Sequence, residues 1–130
     1  MATAISSERQ RVLIVEDDLQ LAGFLARVLL QQEGFKAIRA YTRLTAISFC
    51  EKIEFDLAVV GMKMPDQEAT EKTPSGLIFI KWLREKRPEI KIIAMSGGEA
   101  PVGLPSDIVF LQEPFSADVF LAAIKNTLQD

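Results

Sequence analysis

The sequence predicts an α/β domain built on a five-stranded parallel sheet covered by helices on both faces. Three observations carry that expectation. Five short aliphatic runs alternate with segments of helical period. The runs are apolar at successive positions, as strands buried on both faces are. A chain of 130 residues suffices for one ordinary core and not for two. The domain is expected over residues 11–130, behind a flexible N-terminal tail of residues 1–10, MATAISSERQ.

Arg11–Glu16 (RVLIVE) is too short for a helix and rich in β-branched residues, which makes it the first strand. Asp18 stands where a helix N-cap belongs; Leu21, Leu25, Val28 and Leu29 then share one helical face, and Gly34 supplies the stop. Lys36–Tyr41 is the second strand. Thr42 can cap a helix in which Ala46, Phe49, Cys50 and Ile53 recur at helical spacing. Phe55–Val60 (FDLAVV) is the third strand, followed by a long polar loop to Ser75. The next helix, Gly76–Arg87, stops before Pro88, because the residue preceding proline disfavours the α region. Ile90–Met95 and Ile108–Leu111 are the last two strands. Ser116 opens a final helix with an apolar stripe of Val119, Phe120, Ala123, Ile124 and Leu128.

Composition narrows the function classes. Hydrophobic residues make up 48% of the chain and charged ones 25%, a globular balance. A net charge of −3 gives no general electrostatic ground for binding nucleic acid. One cysteine excludes an internal disulfide and a thiolate zinc site, and fits a reducing compartment. The absence of histidine removes Ser–His and Cys–His nucleophiles and imidazole metal ligands. The first ten residues lack the apolar core of a signal peptide, and no stretch approaches the ~18 to 20 apolar residues of a membrane span. A cytoplasmic protein with no membrane partner is expected.

In parallel α/β sheets ligands bind outside the carboxyl ends of the strands. That rule singles out Glu16, Asp17, Gly61, Ser96 and Glu113. The stretches that hold them are VLIVEDD, DLAVVGMKMPD, IIAMSGG and VFLQEPFS, in that order. On these motifs the chain resembles the receiver domain of bacterial two-component response regulators, over about residues 11–129. The resemblance implies a doubly wound, flavodoxin-like sheet of order 2-1-3-4-5. It also implies a signalling module rather than an enzyme. A protein partner, a histidine kinase or another regulator, would follow, with no nucleic acid and no membrane.

In an ordinary receiver, an acidic pair after the first strand holds Mg²⁺ and an Asp ending the third strand takes a phosphoryl group from a histidine kinase. A Ser or Thr after the fourth strand and a Lys before a Pro after the fifth respond to it. Glu16 and Asp17 match the acidic pair, and Ser96 matches the hydroxyl position. The acceptor position is Gly61, and the lysine position is Glu113. An acyl phosphate requires a carboxylate nucleophile in line with the donor phosphorus, and glycine has no side chain to offer. The expected function is therefore that of a pseudo-receiver, with a degenerate pocket and no catalytic residue, acting through protein–protein interaction. The alternative is a switch with altered chemistry, phosphorylated at Asp66 or Ser96 or binding a metal or small ligand in the acidic pocket. A flavodoxin-like nucleotide-binding protein is disfavoured, because no glycine-rich phosphate loop follows the first strand.

Glu16, Asp17 and Glu113 place three carboxylates together without the family's lysine. Like charges at close range disfavour joint ionisation, so a raised pKa, a cation or an outward-turned side chain is expected, with Lys63 the nearest candidate counter-ion. No metal and no cofactor are expected, since Mg²⁺ lacks its third carboxylate; weak Mg²⁺ binding at Glu16 and Asp17 is the alternative. The plainer reading of that pair is two solvated residues capping the first helix. Asp66 reads as a solvated loop residue, and Asp56 lies at the wrong end of the sheet. Cys50, Met62 and Met64 read as packing residues. Phe110 holds the position of the receiver's switch aromatic and, without activation chemistry, is expected to be a static packed ring.

Two features stand apart. Leu77, Ile80 and Leu83 form the core stripe of the third helix, which leaves Ile78 and Trp82 at i, i+4 on its outer side. They are a candidate partner surface unless the loop Asp66–Ser75 covers them. Ser96 and Glu113 are seventeen positions apart, more than one helical turn short of the family's interval. The intervening GGEAPVGLP is poor helix material, so the fourth helix of the family is expected to be missing or shortened.

Overall fold

The computed structural model describes residues 9–129. The elements are β1 (Gln10–Val15), α1 (Leu19–Leu30), β2 (Phe35–Ala40), α2 (Arg43–Lys52), β3 (Leu57–Gly61), α3 (Ser75–Lys86), β4 (Lys91–Ser96), β5 (Val109–Gln112) and α4 (Ala117–Gln129). Each strand is within two residues of its expected position. Of the expected tail, Arg9 and Gln10 are described and Gln10 already belongs to β1, its N–H donating to the Gly34 carbonyl at 2.8 Å. The rest of the tail lies outside the described residues.

All strand pairs are parallel, in the order β2-β1-β3-β4-β5. The continuous apolar runs follow from burial on both faces, because successive side chains of a strand point to opposite sides. In β1, Leu13 and Val15 enter the core that also holds Ala46 of α2 and Phe79, Ile80 and Leu83 of α3. Val12 and Ile14 enter the opposite core with Leu25 and Leu29 of α1 and Phe120 and Ile124 of α4. β3 divides in the same way, Ala58 and Val60 against Leu57 and Val59.

The helix starts obey local chemistry. Asp18 accepts hydrogen bonds from the N–H groups of Gln20 and Leu21, Thr42 from Thr45, and Ser116 from Val119, which satisfies orphan donors of three first turns. Gly34 has φ +94, a left-handed conformation that carries the chain from α1 into β2. Between β4 and β5 no helix forms; the segment runs through turns, and Asp107 pairs with Arg84 of α3 at 2.8 Å. Among the described residues there are therefore four helices, in keeping with the short interval.

Candidate functional site

The carboxyl ends of β1, β3, β4 and β5 form one edge. Val15 is opposite Val60, and Gly61 is opposite Met95. The Glu113 N–H donates to the Ser96 carbonyl at 2.8 Å, which fixes the β5–α4 connection beside the end of β4. Parallel register thus gathers Glu16, Asp17, Gly61, Ser96 and Glu113 at this edge. They do not play equivalent parts there.

Asp17 is exposed, whereas Glu16 is buried at 7% exposure. Its Oε2 accepts from the Asp18 N–H at 2.9 Å. The plainer reading of the pair as two solvated residues is therefore corrected for Glu16, whose side chain is turned inward. Burial is the main cause that raises its pKa to about 7; the Asp18 N–H opposes the rise, and Asp17 and Glu113 add to it. The pKa of Glu113 is also raised, by burial first and by the charge of Asp18 second. Ser96 is buried, and its hydroxyl oxygen accepts from the Gly98 N–H at 3.2 Å.

Lys63 is not the counter-ion. Among the described residues no ion pair joins it to Glu16, Asp17 or Glu113, and a Cβ placed on Gly98 would lie 3.9 Å from its ammonium. The cluster is relieved instead by the raised pKa of Glu16 and by Asp17 facing solvent. The donor set also fits Mg²⁺ poorly. Among the described residues, no group of three or more His, Cys, Asp or Glu side chains is placed to hold a metal ion.

Asp66 is not a solvated loop residue; both of its carboxylate oxygens are hydrogen-bonded. Its carboxylate takes hydrogen bonds from Arg43 Nε at 2.6 Å, Arg43 Nη2 at 3.2 Å, the Ser75 hydroxyl at 2.8 Å and the Glu68 N–H at 3.0 Å. Those bonds, Arg43 first, hold its carboxyl well below the usual range. Arg43 also reaches Glu68 at 3.2 Å, so one guanidinium at the start of α2 fastens the loop between β3 and α3. Sequence reasoning missed this clasp. Its only local trace is an Arg directly after the Thr42 cap.

Asp56 accepts from the Arg11 N–H at 2.8 Å, at the far end of the sheet, as expected. Cys50, Met62 and Met64 are buried packing residues, and burial pushes the Cys50 thiol up to about 11. Phe110 is half-buried against the core between the sheet and α2 and α3. Ile78 and Trp82 are half-buried too, and Trp82 stacks on Phe79 with ring centroids 6.1 Å apart. Both residues are thus partly covered on the outer side of α3 rather than fully exposed. The exposed large apolar residues are elsewhere, among them Leu19, Leu44 and Val102.

Comparison with known proteins agrees with this architecture. The sequence model described as response regulator receiver domain matches residues 12–104. The polar-differentiation response regulator DivK of Brucella ovis is 29% identical over 126 residues, covering 92% of this chain and 96% of DivK. The regulatory protein VanR of Enterococcus faecium is 25% identical, covering 92% of this chain and 50% of VanR. Among solved structures, a CheY-like response regulator receiver domain protein from Methanospirillum hungatei superposes with a TM-score of 0.81 at 23% identity, covering 94% of this chain and 95% of the other.

Proposed function

The chain belongs to the response regulator receiver domain family, and on that premise we propose that it is a receiver without phosphoryl chemistry, acting by protein–protein interaction in a two-component-type pathway. One observation carries the reading: β3 ends in Gly61, at the position where an ordinary receiver presents its acceptor carboxylate. An acyl phosphate cannot form on a residue with no side chain. The part-buried and hydrogen-bonded state of Asp66 supports the same reading, because the nearest acidic residue in the following loop is committed to Arg43.

Without an acceptor, the lysine of the family has no partner, and Glu113 in its place is tolerated by proximity to solvent and by its raised pKa. Mg²⁺ binding is weak or absent, since the inward Glu16 leaves Asp17 as the one outward carboxylate of the acidic pair. The partner is a protein of the same signalling class, a histidine kinase or another regulator, met in the cytoplasm. Among the described residues no helix is long and apolar enough to cross a membrane.

The experiment is intact-mass measurement after incubation with acetyl phosphate and Mg²⁺. The mass is expected to stay unchanged, while the Gly61→Asp variant gains one phosphoryl group. A stoichiometric gain by the wild-type protein overturns the reading.

A further inference from the structure

The end of β3 is confined on two sides. Gly61 pairs with Met95 of β4, and Gly76 at the start of α3 lies so close that a Cβ there would strike the Gly61 carbonyl oxygen and the Met62 backbone. The strand cannot yield in that direction. On its remaining side, a Cβ built on Gly61 would overlap Glu16 Oε1, with Glu16 Cδ and the Val15 carbonyl oxygen each at 3.3 Å. The other oxygen of Glu16 is tied to the Asp18 N–H at 2.9 Å. One carboxylate therefore joins the N-cap of α1 to the side-chain slot at Gly61.

From this arrangement we infer that Glu16 is the internal plug of the pocket: its carboxylate occupies the volume a side chain at residue 61 would fill, and the two positions hold one side chain between them. Two physical arguments support the exchange. An unfilled slot beside a packed strand end costs contacts on every wall, so a flexible neighbour that reaches it is drawn in. Asp17, the next residue, stays in solvent, so of the acidic pair Glu16 alone reaches the slot. The inference rests on packing alone and is independent of what the domain binds.

Carboxyl labelling tests it. The intact protein is treated with a carbodiimide and an amine, then digested with trypsin. The fragment Val12–Arg27 carries three carboxylate side chains, Glu16, Asp17 and Asp18, which fragmentation separates. In the wild-type protein Glu16 is expected to react several-fold more slowly than Asp17. Gly61→Ala is expected to expel it and bring its rate up to that of Asp17, with Asp17 itself unchanged. Equal rates in the wild-type protein, or persistent protection of Glu16 in Gly61→Ala, overturn the inference. If Gly61→Ala does not fold, the double variant Glu16→Ala/Gly61→Ala is expected to restore folding, and its failure to do so counts against the plug. The phosphoryl-transfer reading is decided separately by intact mass, so the two can fail independently.

Discussion

Arg43 and Asp66 face each other across two hydrogen bonds, Nε to Oδ2 at 2.6 Å and Nη2 to Oδ1 at 3.2 Å, with 10% and 9% of their side chains exposed. This paired geometry joins the first turn of α2 to a loop 23 residues away. Removing Asp66 leaves the buried Arg43 guanidinium with the exposed Glu68 as its one remaining ion-pair partner, which costs more than the pair contributes. Asp66→Ala is therefore expected to lower stability by about 3 kcal/mol. The double variant Arg43→Met/Asp66→Leu should lose less than Asp66→Ala alone. Urea denaturation of the three variants checks the order. The low pKa of Asp66 adds an acid limb: its stabilisation is complete above the ordinary value of 3.8 and is lost as pH falls below it, and Arg43→Met should flatten that limb.

Glu16 works in the opposite sense. Its pKa is raised from 4.5 to about 7, so between those values the folded protein keeps a proton that the unfolded chain has released. Stability from this group is complete below pH 4.5, declines as pH rises towards 7 and is level above it. Glu16→Gln keeps an acceptor for the Asp18 N–H and removes the titration. The variant should match the wild-type protein near pH 4.5 and exceed it at pH 8 by about 1–2 kcal/mol, allowing for solvent at the pocket mouth. Chemical denaturation in the presence of a chelator, repeated across that range, measures the divergence.

What the sequence made legible, and what it hid, divides by the range of the interactions. Strand faces were readable in β1, where neighbouring positions 12 to 15 are all apolar because both sides are covered. Asp18, Thr42 and Ser116 were readable as caps because a cap bonds its own next turn. The missing helix was readable from an interval and from Gly and Pro content. Arg43 was hidden because its partners arrive from a loop that carries no periodic pattern. The inward turn of Glu16 was hidden because it depends on a glycine 45 positions away. Lys63 was misjudged because proximity in sequence to Gly61 says nothing of the direction its side chain takes from the strand end.

Two glycines in helices should answer a single added methyl in opposite directions. At Gly76 a Cβ would meet the Gly61 carbonyl oxygen, the Met62 Cα at 2.8 Å and Met62 Cε at 2.7 Å, two of them backbone atoms that cannot turn away. At Gly23, in the middle of α1, the nearest atoms are the flexible guanidinium ends of Arg39 at 3.4 Å and Arg27 at 3.6 Å. Gly76→Ala is expected to destabilise by about 2–3 kcal/mol through overpacking. Gly23→Ala should stabilise by about 0.5–1 kcal/mol through helix propensity. Melting temperatures of the two variants settle both signs.

Trp82 provides the test of whether the outer side of α3 is structure or surface. Its ring lies nearly parallel to that of Phe79, at 12°, and packs against the core between the sheet and α2 and α3. Truncation removes a large half-buried ring and one side of an aromatic stack, so Trp82→Ala should cost about 2 kcal/mol, below the range for fully buried aromatics. Trp82→Phe keeps a ring over Phe79 and should cost less than about 1 kcal/mol. Far-ultraviolet circular dichroism in urea serves for both, since Trp82 is the single tryptophan and its fluorescence disappears with it. Undiminished stability in Trp82→Ala would show that the ring contributes nothing to the core and would return it to the role of a contact surface; a loss shared by Trp82→Ala and spared in Trp82→Phe identifies it as part of the packing that holds α3 on the sheet.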